Sequence, residues 1–305
     1  MESHELLLQW AEAQGIELRG IRPDRIPGRG IGIIATRKLK EGELLLRVPT
    51  TALRTKFTVP KEITRRLPRT ISVHGLLAAD LALDASGRYD EWNAVLPSPA
   101  DVEAMPFCWP RELQDLLPRR AAELLRKQRA KFARDWEAVS AAAFSLPRPA
   151  TVAPATPIPS SSPADTDAKQ DSQQQQQQQH HDTQPLDEAR YRYAWLLANT
   201  RTFYYVDART ARLPREDRMV LQPVADLFNH ATGGGCCPVA FGDADFTVRS
   251  GAAHEAGAEL SICYGNHSND FLLADATCSR PATSWATTRS TARRRATAPR
   301  SPCAC

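Results

Sequence analysis

The 305-residue sequence lacks any run of 18 apolar residues, about the length that a membrane-spanning helix needs. Its first ten residues, MESHELLLQW, place acidic residues ahead of a very short apolar stretch, which is not the pattern of a secretory signal. The sequence therefore predicts neither a membrane span nor export. We expect a cytoplasmic or nuclear protein, or one found in both compartments, that does not bind a membrane.

The sequence also lacks the cysteine spacing that is typical of zinc sites and of small disulfide-rich domains. The seven cysteines are an odd number and include no C-x-x-C pair, which argues against a small disulfide framework and a zinc site. Cys303 and Cys305 lie two residues apart, but the further ligands that zinc needs are absent. We expect reduced thiols and no metal.

Most of the chain has no excess of positive charge. The formal net charge is +4, but residues 279–305 hold six arginines and no acidic residue, so subtracting them leaves residues 1–278 at −2. A basic balance that belongs to one terminal segment is weak support for nucleic-acid binding. We expect no direct contact with nucleic acid.

Periodicity divides the rest of the chain into helical and strand-like blocks. Residues 5–13 place apolar side chains on one helical face, and residues 71–144 show helical spacing interrupted by prolines. Within residues 28–49, IGIIAT and ELLLRVP are strand-like and joined by the polar RKLKEG, which predicts two adjacent strands. Because the two kinds of block are separated rather than alternating, the pattern predicts an α+β fold.

The run GIGIIA at residues 30–35 superficially matches the dinucleotide fingerprint G-x-G-x-x-A. Its context argues against a dinucleotide site, because no strand precedes it, a strand follows it, and no acidic residue lies about twenty positions further on. Taken alone, these glycines indicate a tight turn. Taken alone, His230 at the end of ADLFNH is typical of a hydrogen-bonded core histidine.

Several motifs acquire meaning from their order. They are GRGIGIIATRKLKEGELLLRVP, EWNAVLP at 91–97, NTRTF at 199–203, PVADLFNH at 223–230 and GAELSICYGNHSND at 257–270. Together they resemble the SET-domain protein methyltransferases. The resemblance is to the split-SET branch, which includes the Rubisco large-subunit lysine methyltransferase, fungal ribosomal-protein lysine methyltransferases and the actin histidine methyltransferase. It covers about residues 20–145 and 186–274.

The resemblance implies a SET-domain β-fold of short strands with a helical insertion and a long linker. The expected segments are an N-terminal helix at 1–22, the first part of the SET domain at 23–59, the helical insertion at 60–145 and the second part at 187–274. Between them, residues 146–186 are rich in Pro and Gln and too polar to bury a core, which predicts a disordered linker. Since loop closure costs little, we expect that this linker can be shortened without loss of fold.

The resemblance also implies S-adenosylmethionine as the cofactor. Gly30 and Gly32 would let the backbone approach it, and the guanidinium of Arg201 would meet its carboxylate; outside the resemblance, Arg201 could equally form a surface salt bridge. The full set of expected cofactor-binding residues is Gly30, Gly32, Ile33, Ile34, Arg201, Asp226, Asn229, His230 and Tyr264.

Tyr264 is the expected catalytic residue, whose hydroxyl would orient the target amine. The implied reaction is methyl transfer to a lysine of a protein substrate, which could be ribosomal, by an enzyme that acts as a monomer. The motifs do not choose between a lysine and a histidine target. A catalytically weak SET-like interaction module is a further alternative.

The sequence departs from the family pattern after FLLAD. The family continues with Tyr-Gly-Phe, whose aromatic ring covers the adenine, whereas this chain reads DATC at 275–278 and then loses periodicity. We interpret residues 275–305 as a disordered basic tail that results from a truncated or misframed gene model. We therefore expect weak binding of the cofactor, since aromatic stacking contributes about 1 kcal/mol.

Overall fold

The computed structural model describes residues 3–147, 183–233, 235–265 and 267–276. The helices are α1 (Ser3–Ala13), α2 (Lys61–Thr64), α3 (Val73–Leu83), α4 (Asp90–Asn93), α5 (Pro99–Glu103), α6 (Arg111–Gln114), α7 (Arg119–Ala141), α8 (Glu188–Arg201) and α9 (Asn269–Phe271). The strands are β1 (Glu17–Leu18), β2 (Ile21–Ile26), β3 (Gly30–Ala35), β4 (Leu44–Pro49), β5 (Ser145–Pro147), β6 (Thr183–Pro185), β7 (Thr202–Tyr204), β8 (Met219–Leu221), β9 (Asn229–His230), β10 (Val239–Phe241), β11 (Asp245–Arg249) and β12 (Glu259–Ile262). Short 3-10 turns lie at Thr50–Ala52, Thr210–Arg212, Arg215–Asp217 and Ala225–Leu227, and a π-helical turn at Leu272–Ala276.

The strands form two four-stranded sheets, in the orders β1-β4-β11-β10 and β2-β3-β12-β9, and two separate pairs, β5-β6 and β7-β8. Strands β9 and β12 run parallel, with Asn229 opposite Ser261 and His230 opposite Ile262. This pairing brings the ADLFNH and ELSICYG motifs side by side. The helices and short strands confirm the predicted α+β class.

The prediction that IGIIAT and ELLLRVP form adjacent strands is wrong. Strand β3 pairs with β2 and β12, whereas β4 pairs with β1 and β11 in the other sheet. The physical reason is the tight turn at residues 27–29, where Gly28 has φ 74° and the Arg29 amide donates to the Ile26 carbonyl at 3.0 Å. This turn gives β3 a neighbour that precedes it in the chain.

The helical insertion packs against α8 around an aromatic cluster. The ring centroids of Phe132 lie 5.4 Å from Phe107 and 5.5 Å from Trp195. Within this core the carboxylate of Asp135 accepts hydrogen bonds from the Ser72 hydroxyl at 2.6 Å and from Trp195 Nε1 at 2.9 Å. The buried acid therefore has partners, as a charge in an apolar core requires. This packing fixes α8 and with it the position of Arg201 at its last turn.

His74 connects the insertion to the second half of the chain. Lys131 Nζ donates to its Nδ1 at 2.7 Å, so the ring proton lies on Nε2 and faces the Thr202 hydroxyl at 3.2 Å. Burial and the neighbouring Lys131 charge lower the pKa of His74 from 6.5 to about 3. His74 is therefore neutral in the folded protein at physiological pH.

The boundaries drawn from the sequence differ from the strand boundaries near the N-terminus, where β1 already lies within the predicted helix segment, and at both ends of the linker. Strand β2 begins at Ile21, inside the segment predicted as the N-terminal helix, and β5 and β6 occupy the two ends of the predicted linker. These two strands pair antiparallel, with Pro147 opposite Thr183. Residues 148–182 and 277–305, on which the linker and tail predictions rest, lie outside the described residues. In the part of the chain that is described, no helix has the length and apolar character needed to cross a bilayer.

Candidate functional site

A cavity of 690 Å³ lies where the β2-β3 turn faces the segment that follows α4. Residues 25–31 and 94–98 form two of its walls, and Thr200, Arg201 and Tyr264 complete much of the rest. A concave space of this size is typical of a small-molecule site.

Five of the predicted site residues line the cavity, namely Gly30, Arg201, Asp226, Asn229 and Tyr264. The other four lie close to it without forming its wall: Gly32, Ile33 and Ile34 continue strand β3, and His230 follows Asn229 in β9. The side chain of Ile33 belongs to the core, with no exposed surface. Only backbone atoms of Ile33 could therefore serve a ligand, and in the sheet that backbone lies between Pro23 of β2 and Leu260 of β12.

The two glycines have different physical roles. Gly30 has φ 77°, and a Cβ atom there would meet nothing within 4 Å, so its backbone is open to the cavity. At Gly32 a Cβ atom would lie 2.4 Å from Ile26 Cδ1 and 2.7 Å from Asn229 Nδ2. Gly30 permits the turn, and Gly32 makes room for the side chain of Asn229.

Arg201 reaches the site with its guanidinium anchored on Asp226. Its Nη1 donates to the Asp226 carbonyl at 2.7 Å and to Oδ2 at 3.3 Å. Trp92 Nε1 lies 3.3 Å from both carboxylate oxygens of Asp226. Burial raises the pKa of Asp226, while the Arg201 charge and the Trp92 hydrogen bond oppose that rise. The carboxylate of Asp226 is therefore engaged by protein donors and holds Arg201 in place.

The backbone just before Asp226 is strained. Val224 has φ 70°, a left-handed conformation that a β-branched residue rarely adopts. Such a conformation costs about 1–3 kcal/mol and persists only where the surrounding structure enforces it. Here the residue is fully buried and starts the 3-10 turn that carries Asp226. The strain helps to set the direction of the Asp226 side chain.

Tyr264 and His230 contact each other at the rim of the cavity. The Tyr264 hydroxyl donates to the Phe228 carbonyl at 2.7 Å, and the Tyr264 amide donates to His230 Nδ1 at 3.2 Å. The two ring centroids lie 5.1 Å apart. Because the hydroxyl proton points to Phe228, the oxygen keeps lone pairs with which it can accept a hydrogen bond. The arrangement offers a fixed, partly exposed acceptor.

Three further residues form hydrogen bonds within the site, although no role was predicted for them from the sequence. They are Trp92, Arg29 and Glu259. Each belongs to a motif that carries the resemblance, but none is marked by its own spacing. Their contacts join segments more than a hundred residues apart, which a local pattern cannot reveal.

Comparison with known proteins supports the resemblance, although no protein-family model matches the chain. The mouse and human proteins named SET domain-containing protein 4 are each 24% identical to it, over 277 and 286 residues. These alignments cover 88% and 90% of this chain but 56% and 58% of the relatives, so the chain spans a little over half of their length. The ribosomal lysine N-methyltransferase set11 of Schizosaccharomyces pombe is 29% identical over 90 residues, which are 30% of this chain and 23% of set11.

Solved structures agree in fold. Rubisco LSMT bound to AdoMet superposes with a TM-score of 0.61 at 16% identity, over 92% of this chain and 57% of that one. The SET domain of LSMT bound to lysine and AdoHcy gives a TM-score of 0.60 at 17% identity, over 90% and 56%. This chain therefore has the fold of the SET domain, and the resemblance of its motifs to the SET-domain protein methyltransferases is confirmed in sequence and in fold.

Proposed function

We propose that this chain transfers a methyl group from S-adenosylmethionine to a lysine side chain of another protein. The observation that carries the proposal is the convergence of Arg201, Asn229 and Tyr264 on one cavity beside the open backbone of Gly30. Structural neighbours are described as bound to AdoMet, AdoHcy, lysine or methyllysine. That agreement supports the same chemistry here.

The residues of the cavity suit this cofactor. Its amino-acid end carries a carboxylate and an ammonium, and the site offers the Arg201 guanidinium for the first. The Asn229 amide and the exposed backbone at Gly30 offer oxygen acceptors for the second. When bound, S-adenosylmethionine supplies a methyl group on a positively charged sulfur. Nothing in the lining requires a metal or a covalent enzyme intermediate.

The chain's own contribution is to hold and orient the two reactants. Tyr264 is fixed by its hydrogen bond to Phe228, so its oxygen can accept an N–H of a neutral amine and direct the nitrogen lone pair into the cavity. Removal of that amine from water and the nearby positive charge both lower its pKa, which favours the neutral, reactive form. The amine proton leaves to solvent.

The experiment that tests this activity incubates the 305-residue protein with tritiated S-adenosylmethionine and cell extract. The labelled amino acid is then identified after hydrolysis. Methyl-lysine is the expected product. Label on histidine would make the target assignment wrong. Absence of label from a protein that binds S-adenosylhomocysteine would instead support an interaction module.

Tyr264→Phe tests the proposed catalytic residue. We expect the rate of transfer to fall at least about a hundredfold, as for loss of a positioned catalytic hydroxyl, with little change in binding of S-adenosylhomocysteine. Tyr204→Phe is the matched control, since Tyr204 is 37% exposed and Tyr264 36%, and Tyr204 does not line the cavity. Equal loss of rate and binding in Tyr264→Phe would contradict the assigned role.

For the substrate, we propose a ribosomal or other abundant protein, because set11 is named a ribosomal lysine N-methyltransferase. We further propose that the chain acts as a monomer in the cytoplasm or nucleus without contacting nucleic acid directly. Purified ribosomal proteins added one by one to the labelling assay test the first point. Sedimentation of the active protein tests the second.

A further inference from the structure

Glu259 occupies a junction between three segments of the site. Its Oε1 accepts a hydrogen bond from Asn229 Nδ2 at 2.9 Å, and its Oε2 accepts one from Arg29 Nη1 at 2.7 Å. The other arm of the same guanidinium, Nη2, donates to the His230 carbonyl at 3.3 Å. One carboxylate therefore joins β12 to the β2-β3 turn and to β9.

The sheet places Glu259 where these contacts are possible. On β12, Glu259 lies opposite Ile34 of β3, and two residues further on Ser261 lies opposite Asn229 of β9. The strand thus has one neighbour that leads to the turn and one that carries Asn229. Gly32 leaves the space that the Asn229 side chain occupies beside β3.

The carboxylate also fixes the polarity of the Asn229 amide. An ionised carboxylate can only accept hydrogen bonds, so the NH₂ end of Asn229 must face Glu259. Asn229 lines the cavity, and its Oδ1 is then the atom best placed to meet a ligand. A carbonyl oxygen accepts hydrogen bonds and suits a ligand group that donates, such as an ammonium.

This contact differs from an ordinary surface ion pair. Lys38 and Glu255 approach as closely, at 2.7 Å, but their side chains are 72% and 76% exposed. The corresponding values are 37% for Arg29 and 22% for Glu259. Exposed pairs contribute little because water and salt screen them, whereas the Glu259 contacts are more shielded and satisfy both carboxylate oxygens.

We propose that Glu259 is a positioning residue for recognition of the ligand's ammonium group. It orients Asn229 so that the side-chain carbonyl faces the cavity, and through Arg29 it holds the turn at residues 27–29 against β9. The identity of the ligand rests on the proposed function. The clamp on the turn is a property of the ligand-free chain.

The experiment compares Glu259→Gln with Glu255→Gln, a control with an equally short ion pair outside the cavity. Replacing Glu259 by glutamine removes the ion pair with Arg29. Because a glutamine amide can donate as well as accept hydrogen bonds, it also no longer prevents the Asn229 amide from flipping by about 180°. Binding is measured by calorimetry with S-adenosylhomocysteine and with 5′-methylthioadenosine. The second compound keeps the nucleoside and thioether but lacks the ammonium and carboxylate.

We expect Glu259→Gln to weaken S-adenosylhomocysteine about tenfold, the loss typical of one hydrogen bond to a charged group, and to leave methylthioadenosine unchanged. Glu255→Gln should affect neither. Equal weakening of both compounds would reveal general damage and overturn the proposal. So would unchanged binding of S-adenosylhomocysteine.

Hydrogen exchange in the ligand-free protein tests the clamp independently. We expect the Arg29 amide, which donates to Ile26, to exchange faster in Glu259→Gln than in wild type or Glu255→Gln. Arg29→Gln should show the same change. Wild-type protein that binds neither compound would defeat the proposed function, while unchanged exchange would defeat the clamp.

Discussion

Replacing Trp92 by phenylalanine separates the stability of the fold from the organisation of the cavity. Trp92 is fully buried, and its Nε1 is one of the donors that satisfy Asp226. Phenylalanine keeps most of the apolar contact but cannot donate. Asp226, whose pKa burial already raises, then depends more heavily on Arg201. We expect the Asp226-Arg201 pair to shift from its present geometry.

Trp195→Phe is a matched control. Trp195 is also fully buried, and its Nε1 donates to a core carboxylate, Asp135, at 2.9 Å. Trp195 does not line the cavity. Both replacements remove one buried hydrogen bond from an indole to an acid, and both delete the same atoms.

The expected loss of stability is the sum of a lost hydrogen bond and a loss of apolar packing. A hydrogen bond to a charged group contributes about 1.5–3 kcal/mol, and Trp92 lies at the low end because its contacts are 3.3 Å long. The smaller ring adds about 1 kcal/mol of lost packing. The sum of about 2.5 kcal/mol lowers Tm by roughly 5–10 °C in a chain of this size.

Calorimetric unfolding and binding of S-adenosylhomocysteine provide the measurements. Both variants should melt earlier, but only Trp92→Phe should bind the ligand more weakly, by about tenfold, because Asp226 accepts hydrogen bonds from Arg201 whereas Asp135 lies in the helical core. Equal weakening by Trp195→Phe would show that binding follows stability alone. Unchanged binding by Trp92→Phe would refute the role given to the Trp92-Asp226 contact.

Three further outcomes are expected. The pKa of His74 is about 3 in the folded protein and 6.5 when the ring is exposed, so between these values the unfolded chain binds more protons and the free energy of unfolding falls as the pH is lowered. Urea unfolding should show a loss of up to about 1.2 kcal/mol between pH 7 and pH 5.5 that His74→Gln removes; an equal slope in the variant would contradict this assignment. Gly32→Ala should displace the Asn229 side chain and weaken binding of S-adenosylhomocysteine about tenfold. Gly235→Ala should leave binding unchanged, because a Cβ atom added there meets nothing within 4 Å. Similar binding by both variants would exclude crowding at Asn229. Replacing residues 149–181 by a four-residue turn should stabilise the protein by about 1–2 kcal/mol through shorter loop closure, and an unfolded product in circular dichroism would disprove the prediction.

The local structure of this protein was largely predictable from its sequence. Apolar spacing in 5–13 and 71–144 predicted helices, and α1, α3 and α7 lie there. The strand-like runs IGIIAT and ELLLRVP correspond to β3 and β4. Side-chain periodicity reports which face of an element is buried, and this information is local.

The identity of the fold came from the order of the motifs. Each motif alone had an ordinary structural explanation, including the glycines at 30 and 32. In combination they pointed to Arg201, Asn229 and Tyr264, and the structure brings these three side chains to one cavity.

Only the tertiary structure decided which strands are neighbours and what each polar group contacts. The sequence predicted that β3 and β4 are adjacent, but they lie in separate sheets, because β3 pairs with β2 and β12 whereas β4 pairs with β1 and β11. It gave no sign that Glu259 meets Arg29, a contact across 230 residues, or that Trp92 meets Asp226 across 134. Propensity and periodicity act over a few residues, whereas hydrogen bonds between remote segments depend on how the whole chain packs.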